Sequence, residues 1–147
     1  MPIYLHFLEK TSLPERSRLK AFIEQIFRKE KKDPHELHYI FCSDSYLLEI
    51  NRKFLKHDYY TDIITFDLSR DKGLNAEIYI SIDRVKENAS DLGISFRQEL
   101  ARVMFHGVLH LCGYKDKSPK DLKLMRQKED YYLRLFAKRS TNHKKGV

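Results

Sequence analysis

Cysteine is scarce in this chain. Cys42 and Cys112 are the only two, and each sits among apolar neighbours. That usage argues against a disulfide framework and suits buried, reduced thiols, so a cytoplasmic protein is expected. Proline is nearly as sparse, with four residues, while 41% of the chain is hydrophobic and 12% aromatic, which argues against a disordered polymer. No apolar run approaches the ~18 residues that a membrane-spanning helix needs. The opening stretch MPIYLHFLEK lacks a basic start and ends its apolar run at Glu9. It is expected to be a strand and not a secretory signal. Internal repeats, long linkers and low-complexity blocks are missing too. At 147 residues, one domain is expected over 1–139, followed by a basic tail over 140–147.

Acidic residues run short in one region only. Residues 1–113 hold 17 Lys and Arg against 17 Asp and Glu, whereas residues 114–147 hold 11 against four (Asp116, Asp121, Glu129 and Asp130). The whole net charge of +7 therefore lies after Gly113. A solvated helix and tail would account for this excess, and so would an electrostatic footprint for a polyanion such as RNA. Charge alone does not separate the two.

Apolar spacing sets out about four strands and five helices. Strands are expected over 3–8, 37–42, 62–68 and 76–82, the last two joined by the turn-like SRDKGLN. In the last strand Ile78, Ile80 and Ile82 share one face, and Glu77, Tyr79 and Ser81 the other. A helix from Ser12, with Pro14 in its first turn, places Leu19, Phe22, Ile23, Ile26 and Phe27 at helical spacing. Ser43 or Asp44 can cap a second helix carrying Leu47, Ile50 and Phe54 on one face. A short helix stops near Gly93, and Ser95 with Gln98 forms a capping box for the next, which runs to Gly113. Ser118-Pro119, with Asp121, starts the last helix, whose inner side offers Leu122, Met125, Tyr132, Leu133 and Phe136. Strands early and helices late predict an α+β domain with helices packed on one small mixed sheet.

The stretch HGVLHLCGYKD, His106 to Asp116, sets two histidines in an apolar helix. Four residues turn an α-helix by about 400°, so His106 and His110 project from one face ~40° apart. A buried imidazole without a partner costs roughly 1–3 kcal/mol. Backbone carbonyls or carboxylates would satisfy the pair in an ordinary core, and a shared metal ion would satisfy both at once. Gly113 ends the helix and lets the chain reverse, so that Asp116 can return to the same ion. Three protein ligands with one open position is the pattern of catalytic zinc. Cys112 lies about 200° round the helix from His110 and is not expected to be a ligand. Gly107 stands where the zinc-protease motif HExxH carries its general base, which counts against peptide hydrolysis of that type.

The same stretch resembles the pattern HGxLHLxGYDH of the YbeY family, bacterial metal-dependent endoribonucleases linked to ribosomal RNA maturation. INRKFLKHDYYTDIITF, from Ile50, is similar to the family's LNxxYRxKDxxTDVLSF, with Asn51, Asp58, Thr61, Asp62 and Phe66 in register. AEIYIS is similar to GDIxIS, with Glu77 in the acidic position. Two departures stand out. Asp116 occupies the place of a third histidine ligand, which puts one hard oxygen donor into the site. Leu55 occupies the place of an arginine associated with activity, and Lys56 beside it points about 100° away on a helix.

The resemblance implies a zincin-like histidine helix and one Zn²⁺ per chain, held by His106, His110 and Asp116. It also implies an endoribonuclease directed at single-stranded RNA and acting on ribosomal RNA, with the small ribosomal subunit or its assembly factors as partners. A bound Zn²⁺ would acidify water and offset charge developing on phosphoryl oxygens. Lys56, Lys115 and Lys117 are candidate substrate contacts. Tyr59 and Tyr60 are candidate surfaces for unpaired bases, although packing is the commoner role of such tyrosines. Thr61 and Asp62 are expected to close the turn before their strand. Asn51 supports the site or serves the structure. Two other functions fit the same motifs: a ribosome assembly factor with a structural metal, and a metallohydrolase of another substrate class.

Overall fold

A computed structural model of the chain describes residues 1–69 and 73–145, with side chains as far as residue 138. Residues 70–72, inside the expected turn SRDKGLN, and the side chains of the expected tail 140–147 lie outside the described residues. In order, the elements are β1 (Ile3–Phe7), α1 (Arg16–Lys29), β2 (Pro34–Cys42), α2 (Asp44–Leu55), β3 (Ile63–Asp67), β4 (Leu74–Ser81), α3 (Ile82–Leu92), α4 (Phe96–Leu111) and α5 (Pro119–Lys145). The sheet runs β1-β2-β4-β3, with β1, β2 and β4 parallel and β3 antiparallel on the edge. This is the expected α+β arrangement with a mixed sheet.

Alternation of side chains decides where the layers go. Leu37, Tyr39 and Phe41 of β2 and Ala76, Ile78 and Ile80 of β4 share one face, which α1, α4 and α5 cover. All five apolar residues foreseen for the inner side of α1 are buried there, against Phe105 of α4 and Tyr132 of α5. Each such side chain contributes roughly 1.5–3 kcal/mol by leaving water. The opposite face is covered only in part, where α2 sets Leu47 over Cys42 and Ile64. Among the described residues, no helix is long and apolar enough to cross a membrane. Both cysteines are free, and burial pushes each thiol up to about 12.

Several boundaries differ from the sequence expectation, each for a local reason. Helix α1 starts at Arg16 and not at Ser12, because Glu15 takes a left-handed conformation (φ 59). The carboxylate of Glu15 is taken up by ion pairs with Arg18 and Arg97. Strand β2 begins three residues before Leu37, at Pro34, where β4 pairs it through Leu74. Helix α2 is capped by Ser43 as expected, its hydroxyl accepting from the Tyr46 amide at 3.1 Å. Its buried residues are Leu47, Leu48 and Asn51, while Phe54 swings out to meet the edge of Phe66 at the sheet rim. Strand β4 stops at Ser81, which turns into the cap of α3, so Ile82 is buried from a helix and not from a strand. Leu122, expected on the inner side of α5, is half exposed, and the buried positions of that helix begin at Met125.

Gly107 lets α4 lie close across β3 and β4. A Cβ at that position would stand 2.9 Å from Ile78 Cδ1 and 3.1 Å from Ile63 Cδ1. The helix that carries both histidines is thus pressed onto the sheet edge by the absence of a side chain.

Candidate active site

Helix α4 is apolar on most of its surface except along one stripe. Ser95 starts the helix, its hydroxyl accepting from the Gln98 amide at 3.0 Å. From there Glu99, Arg102, His106 and His110 follow at steps of three and four, which aligns them on one face. Glu99 is fully buried and ion-paired with Arg102. Arg102 also donates to Glu129 Oε1 of α5 at 3.1 Å. The other oxygen of Glu129 accepts from His106 Nδ1 at 2.6 Å. Beside the stripe, Asp62 lies 4.0 Å from the Arg102 guanidinium and accepts from Asn88 at 3.3 Å.

The remaining carboxylate reaches the site from beyond the helix. Gly113, at φ 104, turns the chain in a conformation that favours glycine. Tyr114 then anchors the loop by donating to Glu30 Oε1 at 2.7 Å. Asp116 comes back over α4, and its Oδ2 lies 3.2 Å from His106 Nε2. His106 therefore has a carboxylate at each nitrogen. Burial works against charge on its ring, but Glu129 first and then Asp116 and Asp62 outweigh it, so its pKa is raised. Burial likewise works against charge on Glu129, and His106 with Arg102 overcomes it, so the carboxyl is held below its usual range. For Asp62 burial wins over the pull of Arg102 and His106, and its pKa is raised.

His106, His110 and Asp116 line one groove of about 230 Å³. Lys117 and Leu55 line it as well, together with residues of the edge strand β3. Among the described residues, no three of the metal-binding side-chain types are drawn into a closed cluster. His106 and Asp116 meet directly, whereas His110 opens into the groove one turn further on. Of the other residues singled out, Lys115 is exposed on the loop between Tyr114 and Asp116. Lys56 ends α2 in a left-handed conformation (φ 56) and does not line the groove. Glu77 faces the side of the sheet away from α4, where it accepts from the Tyr79 hydroxyl at 3.0 Å. Asp62 does not close a turn: its carbonyl accepts from the Ser81 amide at 2.9 Å and extends the pairing of β3 with β4, while its carboxylate faces Arg102 and Asn88.

The donor types of His106, His110 and Asp116 would suit a divalent ion such as zinc. With Nδ1 hydrogen-bonded to Glu129, His106 would offer its Nε2 lone pair towards the groove, the carboxylate–histidine–metal arrangement that fixes ring orientation. Two imidazoles and one carboxylate are a donor mix that zinc accepts. Cys112 packs against the core instead.

Three residues of this polar network carry no mark in the sequence motifs: Glu99 and Arg102 on the stripe of α4, and Glu129 on α5. Glu129 was visible only as one acid in a basic segment. Its signal is positional, since it falls between Met125 and Tyr132 on the apolar stripe of α5 and is 2% exposed. An acid at a core position is nearly always paired.

Comparison with known proteins finds similarity over nearly the whole chain. The family model described as Endoribonuclease YbeY matches residues 6–137. A protein named endoribonuclease YbeY from Flavobacterium psychrophilum is 54% identical over 115 residues, which is 78% of this chain and 82% of that one. A protein of the same name from Cytophaga hutchinsonii is 54% identical over 124 residues, covering 84% of this chain and 87% of its own. The solution structure of a Thermotoga maritima protein superposes with a TM-score of 0.69 at 30% identity, covering 97% of this chain and 93% of that one.

Proposed function

The chain belongs to the Endoribonuclease YbeY family, and on that footing we propose that it is a metal-dependent endoribonuclease acting in ribosomal RNA maturation. The substrate is single-stranded RNA in the cytoplasm, met in the context of the small ribosomal subunit or its assembly factors. One divalent ion, zinc by its donors, is held by His106, His110 and Asp116. The observation that carries this reading is His106 set between two carboxylates, one buried behind it and one at the groove. Behind the ring, Glu129 holds Nδ1 and is itself held by Arg102. In front, His110 and Asp116 face the same groove, and Lys117 stands beside them where a phosphate would pass. Ile63 and Ile64 supply an apolar wall, which strengthens electrostatic contacts to a bound phosphodiester. The bound ion supplies Lewis acidity towards water and phosphoryl oxygens.

A peptidase reading fares worse, because Gly107 leaves no room for a glutamate between α4 and Ile78. One feature favours a non-catalytic assembly factor with a structural metal: Leu55 lines the groove where the family pattern has arginine. The test is cleavage of a single-stranded ribosomal precursor RNA before chelation, after chelation, and after zinc is returned. Cleavage lost and then regained supports the enzyme. RNA binding that weakens steeply with salt, without cleavage under any metal condition, supports the assembly factor.

A further inference from the structure

The loop between α2 and β3 holds two rings that stand out from the core yet are fixed in place. His57 and Tyr59 stack with centroids 5.2 Å apart and planes 20° from parallel. The Tyr59 hydroxyl and His57 Nδ1 share a hydrogen bond of 3.0 Å, while Tyr59 remains 55% exposed. The backbone beneath is tied to Asn51, which is 1% exposed. Its side-chain amide donates to the Tyr59 carbonyl at 2.9 Å, and its own carbonyl accepts from the His57 amide at 3.1 Å. Arg52 pairs with Asp58 between them. Both rings line the groove that holds His106, His110 and Asp116. Tyr60, next in the chain, lies instead under the Arg84 guanidinium at 5.3 Å. The two tyrosines that the sequence left equivalent are therefore separated, and one of them faces the site.

An exposed ring usually moves and loses entropy when it binds. Here a buried asparagine fixes the backbone and a second ring fixes the plane, so a flat surface is presented already ordered. Leu55 lies in the same groove and adds apolar surface without a cation, which suits the face of a base better than a phosphate. Lys117, across the sequence on the Asp116 loop, supplies the charge for the backbone.

We propose that the His57–Tyr59 pair is a stacking platform for one unpaired nucleobase of the RNA substrate, holding the strand beside the histidines. The proposal rests on the endoribonuclease reading and adds the subsite that selects single strands. A base paired in a duplex has no free face to offer, so the platform rejects double-stranded RNA.

The test is fluorescence anisotropy of a labelled decamer of uridylate and of its abasic counterpart, read immediately after mixing with the intact chain. Tyr59→Leu is expected to weaken the decamer about tenfold while leaving the abasic probe unchanged. Tyr59→Phe, which keeps the ring, is expected to retain most of the affinity, and His57→Leu to give the same selective loss as Tyr59→Leu. Unchanged decamer binding in both Leu variants, or equal loss on the abasic probe, overturns the platform alone. A wild-type chain that binds neither probe overturns the endoribonuclease reading and the platform with it.

Discussion

Glu129 Oε2 accepts from His106 Nδ1 at 2.6 Å, and the carboxylate that does so is buried between α4 and α5. This pairing orients the histidine that faces Asp116 across the groove, and it predicts two separable effects. Glu129→Gln keeps the shape and a hydrogen-bonding oxygen but loses the charge. It is expected to fold and to bind zinc about 10–100-fold more weakly, measured by competition with a chromogenic chelator. Glu129→Leu leaves Arg102 and His106 without their shared partner in the interior. It is expected to lose about 3–5 kcal/mol in urea unfolding.

Gly107 makes a steric prediction. A methyl group there meets Ile78 Cδ1 at 2.9 Å, and the contact is with a core side chain under α4. Gly107→Ala is expected to cost about 1–3 kcal/mol by overpacking, and Ile78→Val in the same chain to recover part of it. The measurement is the urea midpoint of the two variants. A Gly107→Ala chain as stable as the wild type would show that α4 lifts freely from the sheet.

Most of the scaffold was legible from spacing, because burial on one face writes itself into the sequence. The inner stripe of α1, the caps Ser43, Ser95 and Ser118, and the stop at Gly93 all appear where local chemistry puts them. The candidate ligands His106 and His110 were legible for the same reason, and Gly113 announced the return of Asp116. Glu129 was not, since its two closest partners, Arg102 and His106, come from another helix 23 or more positions away. A pattern within α5 shows an acid at a core position but not what it meets. The outward swing of Phe54 and the separation of Tyr59 from Tyr60 also depend on tertiary neighbours, Phe66 and Arg84. Local propensity carries no trace of them.

Glu30 makes the prediction for acid. Burial raises its pKa, but hydrogen bonds from Tyr132 and Tyr114 and the charge of Lys128 outweigh this and hold it below the usual 4.5. Its contribution to stability is therefore present above pH 4.5 and is lost as pH falls through the lower folded value. The melting temperature of the wild type is expected to fall below that pH, and that of Glu30→Gln to fall less steeply over the same interval. Parallel profiles for the two chains would contradict the assignment. The same clamp fixes Tyr114 two residues before Asp116, so Glu30→Gln is also expected to loosen the Asp116 loop.

Leu55 predicts an electrostatic gain. It lines the groove at the position where the family pattern carries arginine, and a cation there would add an attraction for the RNA backbone that Leu55 does not supply. Leu55→Arg is expected to tighten RNA binding at low salt and to steepen the logarithmic salt dependence by about one unit. Anisotropy titrations over a range of salt measure both. An unchanged slope would show that a charge at position 55 is beyond electrostatic reach of the bound RNA backbone.

The most direct test of the whole account is the metal content of the chain, purified without added metal, with and without His106 and His110. About one zinc per wild-type chain is expected, together with cleavage of ribosomal precursor RNA. A folded His106→Ala/His110→Ala variant is expected to have neither. Stoichiometric zinc retained by that variant would contradict the site, and cleavage that survives in it would contradict the mechanism.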